Sequence, residues 1–165
     1  MQTHNQKLTP KSIINTLVIL HLVFTLCPLF FGLYVLLISY KSNPNFDNYS
    51  DPFLFILIVM GIISVLLSNY LYKTQINTLR EKTVLSEKLN GFTVATLIRY
   101  APLEGTSLFI IFIANNYFNP FYLVVPAFLI VCLSYRRPTK YKIERDLELN
   151  NVQKNKLNKT DEIIN

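Results

Sequence analysis

Metal, redox and nucleophilic chemistry have little to work with in this chain. It holds two cysteines, two histidines and no tryptophan in 165 residues. Cys27 and Cys132 form no C-x-x-C pair and no metal-ligand spacing. Each stands within an apolar run, where a free cysteine acts as a small buried hydrophobe. Four glycines make no glycine-rich phosphate loop. No Ser/His/Asp arrangement marks a nucleophile, and no internal repeat is present. These absences point to a protein with no metal, no cofactor and no enzymatic activity.

What the chain does have is apolar length. It is 51% hydrophobic, with a mean hydropathy of +0.31. Most of the apolar residues fall in four runs, about 12–40, 52–72, 91–114 and 120–135. A helix needs about 20 apolar residues, at 1.5 Å rise each, to cross hydrocarbon. The first run exceeds that and the next two match it. The fourth is a few residues short, and Arg136 and Arg137 extend it by snorkelling to the headgroups. The expected fold is all-α: a polytopic membrane protein with four transmembrane helices bundled in one domain, 12–137. A cleaved signal peptide is the rival for the first run. Its apolar core would be 7–15 residues with a small-residue cleavage site, and neither feature is present.

Lysine and arginine orient the helices. Lys7 and Lys11 lie in the N-terminal arm, four cations lie in the second loop and eight in the tail from Arg136 onward; only Lys41 lies on the other side. The positive-inside rule then places both termini and the second loop in the cytoplasm, in a multi-pass membrane protein. The net charge of +6 is a topology signal and an attraction to anionic headgroups. It gives no support to nucleic-acid binding. The expected partners are the lipid bilayer and either another membrane protein or further copies of this chain.

Residues 1–11 read as a polar cytoplasmic arm. Asp51-Pro52 is a helix start, with Asp as cap and Pro in the first position. Leu85, Leu89 and Phe92 keep helical spacing, so helix 3 has room to begin before the membrane. Pro28, Pro102 and Pro126 are expected to kink helices 1, 3 and 4. Thr139 can cap a short amphipathic helix over 138–149 at the cytoplasmic surface. The Asn- and Lys-rich stretch 150–165 reads as disordered.

The candidate site is a set of polar residues inside the apolar runs: His21, Ser64, Arg99 and Glu104. Counted by helix rise, His21, Ser64 and Arg99 share a depth of roughly 13 Å from the cytoplasmic end. Glu104 lies about five residues deeper. Arg99 and Glu104 are about 140° apart on an ideal helix, so they do not stack as i, i+4 neighbours do. Ionised groups near the bilayer centre cost roughly 3 kcal/mol each. Three uses compete: a hydrogen-bonded core that fixes helix packing, a proton or ion site, and a docking point for a partner subunit. Glu104-Gly105-Thr106-Ser107-Leu108-Phe109 faintly resembles the carboxylate segment of proteolipid rotor subunits, but the packed glycines of their inner helix are missing.

A further resemblance covers roughly residues 12–149. Ile98-Arg99 followed by Leu103-Glu104-Gly105 and Leu108-Phe109, the closing Pro138-Thr139-Lys140 with Asp146-Leu147-x-Leu149, and Leu20-His21 are together similar to a family of small uncharacterised four-helix inner-membrane proteins of Bacteroidetes. The proline departs from the family pattern, standing before Glu104 instead of after the glycine. The resemblance implies topology and localisation and brings no activity. The expected role is a structural or accessory component of a membrane assembly; the alternative is a proton- or ion-coupled transport component using Glu104.

Overall fold

A computed structural model describes residues 9–38 and 51–159. The expected arm up to residue 8, the loop at 39–50 and the last residues, 160–165, lie outside the described residues. Among the described residues there are helices and no strands.

Most of the helices start where the sequence supplies a side-chain cap. α1 (Pro10–Leu37) begins with the Thr9 hydroxyl accepting the Ser12 N–H at 3.3 Å. α2 (Pro52–Arg80) begins with the Asp51 carboxylate accepting the Phe53 N–H at 2.9 Å. In both, proline fills the first position, where its missing N–H costs nothing. α3 (Leu85–Tyr117) ends at Phe118, whose φ of 53° turns the chain sharply. A 3-10 turn, Pro120–Leu123, capped by Asn119, leads into α4 (Val124–Ser134). α5 (Lys140–Asp146) is capped by Thr139. α6 (Asn151–Asn158) opens with a reciprocal capping box between Asn150 and Gln153.

Several of these elements differ from the sequence expectation. The second loop, expected over 73–90, shrinks to four residues because α2 continues to Arg80 and α3 starts at Leu85, where the Leu85, Leu89 and Phe92 spacing left room for it. At 29 and 33 residues, these helices are about 43 and 50 Å long, well beyond a hydrocarbon core of about 30 Å. Their extensions are held by packing: Ile76, Leu79, Leu85 and Leu89 form one cluster with Ile143, Leu147, Leu149 and Leu157. That cluster also corrects the tail. Residues 151–158 are helical, because the capping box satisfies the first turn and Leu157 is fully buried. Composition alone had marked them as disordered. Pro126 is also corrected: it lies in the first turn of α4, where backbone N–H groups have no helical partner to lose. Pro28 and Pro102 do lie inside their helices. Cys27 is exposed and Cys132 half-buried, so neither is the fully buried hydrophobe expected.

α1, α2 and α3 are long and apolar enough to cross a membrane. Their outward faces carry large apolar side chains such as Ile19, Phe30, Phe55 and Leu66, a coat suited to lipid and costly in water. α4 with its leading 3-10 turn is shorter, Pro120–Ser134. Its ends are nevertheless tied to α2 at two levels. The Tyr122 hydroxyl donates to Asp51, and the Arg136 guanidinium donates to Ser68 and Asn69. Those two levels of α2 are about 27 Å apart by helix rise.

α3 packs against α1, α2 and α4. Beyond Pro10, the buried residues of α1 (Ile13, Leu17, His21, Pro28 and Val35) fall at intervals of four and seven, one face of a helix. That face lies along α3, with His21 beside Tyr100 and Gly32 beside Ile111. A second core runs through Leu57, Tyr100, Leu103, Ile110, Tyr122 and Leu129.

Candidate polar site at the basic end of the bundle

The α2 face that meets α3 carries Ser64, Ser68 and Tyr72, all buried. Their spacing of four residues keeps these polar groups on one stripe. Ser64 donates to the Pro102 carbonyl at 2.8 Å. Ser68 donates to the Arg99 carbonyl at 2.6 Å. Pro102 offers no N–H and leaves the Ile98 carbonyl one turn below it without its helical donor; the two serines donate to the neighbouring Arg99 and Pro102 carbonyls.

Ser68 also accepts from the Arg136 guanidinium, which reaches Asn69 Oδ1 at 3.0 Å as well. The Arg136 carbonyl accepts the Tyr100 hydroxyl at 2.9 Å and a longer contact from Lys142 Nζ at 3.5 Å. A continuous path therefore runs from Arg136 through Ser68 to the Arg99 carbonyl and ties α4, α2 and α3 together. Linked hydrogen bonds of this kind polarise and strengthen one another away from water.

The Arg99 side chain leaves its own level. Its guanidinium carbon lies 4.2 Å from the centre of the Tyr72 ring, a cation–π contact. Tyr72 stands one α2 turn nearer the basic end than Ser68, so Arg99 snorkels in that direction. Arg99 Nε is buried without a partner. The Tyr72 hydroxyl donates to Asp146 at 2.7 Å, and Asp146 also accepts two bonds from Arg145, at 3.0 and 2.9 Å. Tyr72, Thr96, Arg99, Tyr100, Arg136 and Lys142 surround a cavity of about 10 Å³, room for one water-sized group.

The expected common layer of His21, Ser64 and Arg99 is resolved into separate contacts. Ser64 lies a turn above the Ser68–Arg99 level. His21 is buried against Tyr100, with ring centres 5.5 Å apart, and its Nδ1 lacks a partner. Glu104 is half-buried, one turn beyond Tyr100, and makes no hydrogen bond or ion pair among the described residues. Two larger clefts, of about 310 and 270 Å³, are lined by apolar residues and contain no charged group. Among the described residues no three His, Cys, Asp or Glu side chains converge to hold a metal.

Sequence reasoning missed Ser68, Tyr72, Arg136, Lys142 and Asp146 as members of the site. The Ser64-x-x-x-Ser68-x-x-x-Tyr72 stripe was a readable signal. Arg136 and Lys142 were hidden among the other tail cations, because only the contact of the α4 end with α2 and the fold of α5 turn them inward.

Burial, and then the Arg99 charge, push the Lys142 ammonium down to about 8 from its ordinary 10.5. Burial and Arg99 likewise lower Arg136. Below pH 8 Lys142 is charged whether the chain is folded or unfolded, and its electrostatic cost is fully present. Between pH 8 and 10.5 the folded state binds fewer protons than the unfolded one, so this residue's contribution rises with pH. Lys142→Met is therefore expected to be more stable than the natural protein at pH 7, with the gap closing toward pH 10. Thermal unfolding of both proteins in detergent across that range checks this; a gap independent of pH would contradict it.

Comparison with protein-family models, curated proteins and solved structures finds no match to this chain, so the geometry carries the functional argument.

Proposed function

We propose that this chain is a four-helix protein of the bacterial inner membrane with cytoplasmic termini, acting without enzymatic activity as a structural or accessory subunit of a membrane assembly. The observation that carries the reading is Glu104. It is a half-buried carboxylate on an apolar helix with no partner among the described residues, and hydrocarbon makes such a group expensive. Beside it, a Cβ added at Gly105 would meet nothing within 4 Å, and Ala101 one turn away is exposed. Small residues next to a polar group are what a neighbouring transmembrane helix packs against. The membrane placement is supported by the lysine and arginine asymmetry. The fourth span is supported by the ties from Tyr122 and Arg136 to opposite levels of α2. The choice of the bacterial inner membrane rests on the likeness of helix 3 and the 138–149 segment to the Bacteroidetes family.

Gly105→Leu is expected to leave the isolated protein as stable as before, or up to about 1 kcal/mol more stable, since leucine favours helix and the site is open. The same change is expected to abolish recovery of the partner from gently solubilised native membranes. Recovery unchanged by Gly105→Leu would count against this face. A reporter fused after Asn165 that is active only in the periplasm would overturn the topology.

Proton- or ion-coupled transport through Glu104 is the competing reading, favoured by one observation. The Thr25 hydroxyl is also buried without a partner, and the α1–α3 register, His21 to Tyr100 and Gly32 to Ile111, sets Thr25 level with Glu104. Ion flux into proteoliposomes that disappears with Glu104→Gln would select transport over assembly.

A further inference from the structure

Three cations share one small cavity at the basic end of the bundle, and no carboxylate lines it. Arg99, Arg136 and Lys142 come from α3, the end of α4 and α5. Like charges at close range cost free energy unless an anion lies between them. The nearest acid, Asp146, is engaged by the Tyr72 hydroxyl and the Arg145 guanidinium.

Donors remain unfilled around the cavity. The guanidinium of Arg99 has no hydrogen-bond acceptor among the described residues, and its Nε is buried. Lys142 carries three N–H donors, and its one hydrogen bond among the described residues is the long one to the Arg136 carbonyl. The other polar neighbours do not compete as donors. Thr96 donates to the Phe92 carbonyl and Tyr100 to the Arg136 carbonyl.

We infer that Arg99, Arg136 and Lys142 form an oxyanion site that takes a phosphate group, either from an anionic lipid headgroup or as free phosphate. The cavity, about 10 Å³, admits one phosphate oxygen between Arg99 and Lys142 and leaves the phosphorus at the rim. A tetrahedral group with several acceptor oxygens can then reach donors on three different elements, which a single-atom anion cannot. Guanidinium and ammonium groups bind phosphate through strong charge-assisted hydrogen bonds. Basic pockets between helices at the cytoplasmic surface are suited to anionic headgroups. The lipid source rests on the membrane placement proposed above; the free-phosphate source does not, so the two can fail separately.

The test uses the full chain in neutral detergent, exchanged into phosphate-free buffer at constant ionic strength. Thermal unfolding is followed against dioleoylphosphatidylglycerol in mixed micelles, dioleoylglycerol as the matched lipid without phosphate, inorganic phosphate, and sodium chloride. The phosphatidylglycerol lipid is expected to raise the unfolding temperature where dioleoylglycerol and chloride do not. Lys142→Gln is expected to weaken the response about tenfold, while Lys156→Gln, the same charge change at an exposed position, leaves it intact. A response to the lipid alone assigns the headgroup as the source. An equal, Lys142-dependent response to inorganic phosphate assigns free phosphate. Equal responses to dioleoylglycerol or chloride, equal losses in Lys142→Gln and Lys156→Gln, or no response to either phosphate source would overturn the site.

Discussion

Replacing Tyr100 with alanine is expected to cost about 3–5 kcal/mol and to lower the unfolding temperature by roughly 10 °C. Tyr100 is fully buried and is one of the largest side chains in the core. Its ring touches two residues of α1, with centres 5.5 Å from His21 and 5.8 Å from Phe24. Its hydroxyl reaches the Arg136 carbonyl at the end of α4. One side chain of α3 thus holds two other helices. In lipid the lost contacts are packing contacts, because the hydrocarbon outside is as apolar as the protein inside. The vacated space is flanked by helices already fixed elsewhere, so it closes poorly. Tyr100→Phe separates the two contributions. It keeps the ring and removes one hydrogen bond, for about 1 kcal/mol. If Tyr100→Ala cost no more than Tyr100→Phe, the ring would not be the bridge between α1 and α3.

The three long apolar helices were visible in the sequence, because a run of twenty apolar residues has few alternatives. The caps at Asp51 and Thr139 were equally legible, since their side-chain chemistry is local. What was not legible came from contacts across long stretches of chain. The extension of α2 beyond its apolar run depends on Leu147, Leu149 and Leu157 folding back onto it, whereas the early start of α3 was readable in the Leu85, Leu89 and Phe92 spacing. Lys88 shows the same dependence. In the sequence it is one loop cation among four, and in the fold it is buried, with its ammonium donating to the Leu147 carbonyl at 3.3 Å. The candidate site was half visible. Ser64 and Arg99 stood out as polar residues in apolar runs. Depth counting put them in one layer because it assumed loops of a certain length; the longer helices shift the pairing by one turn, and Ser68 takes the place given to Ser64. Arg99 was judged by where its Cα lies, whereas its long side chain carries the charge back toward the basic end. Glu104 is too short to do the same, which is why its surroundings carry the functional argument.

The α2–α4 contact supplies the other large effect. A Cβ at Gly61 would lie 2.8 Å from Val125 Cγ1. Val125 is buried, and a β-branched side chain in a helix has one strongly preferred rotamer, so the methyl has nowhere to swing. Gly61→Leu must therefore push the two helices apart, at a cost of about 3 kcal/mol. Glycine alone does not predict this. At Gly91 the clash, 2.1 Å, is with the terminal methyl of Leu79, a flexible group that can turn away. At Gly105 there is no neighbour at all. The expected order of destabilisation is Gly61→Leu, then Gly91→Ala, with Gly105→Ala neutral or stabilising. The contact can be isolated by a double-mutant cycle. Gly61→Ala and Val125→Ala are each expected to destabilise, the first by crowding and the second by leaving a gap. Together they are expected to cost less than the sum, because the new methyl occupies the space the valine vacates. Strict additivity would mean that α4 does not lie along α2 at this level, and the support that this packing lends to a fourth span would be lost with it.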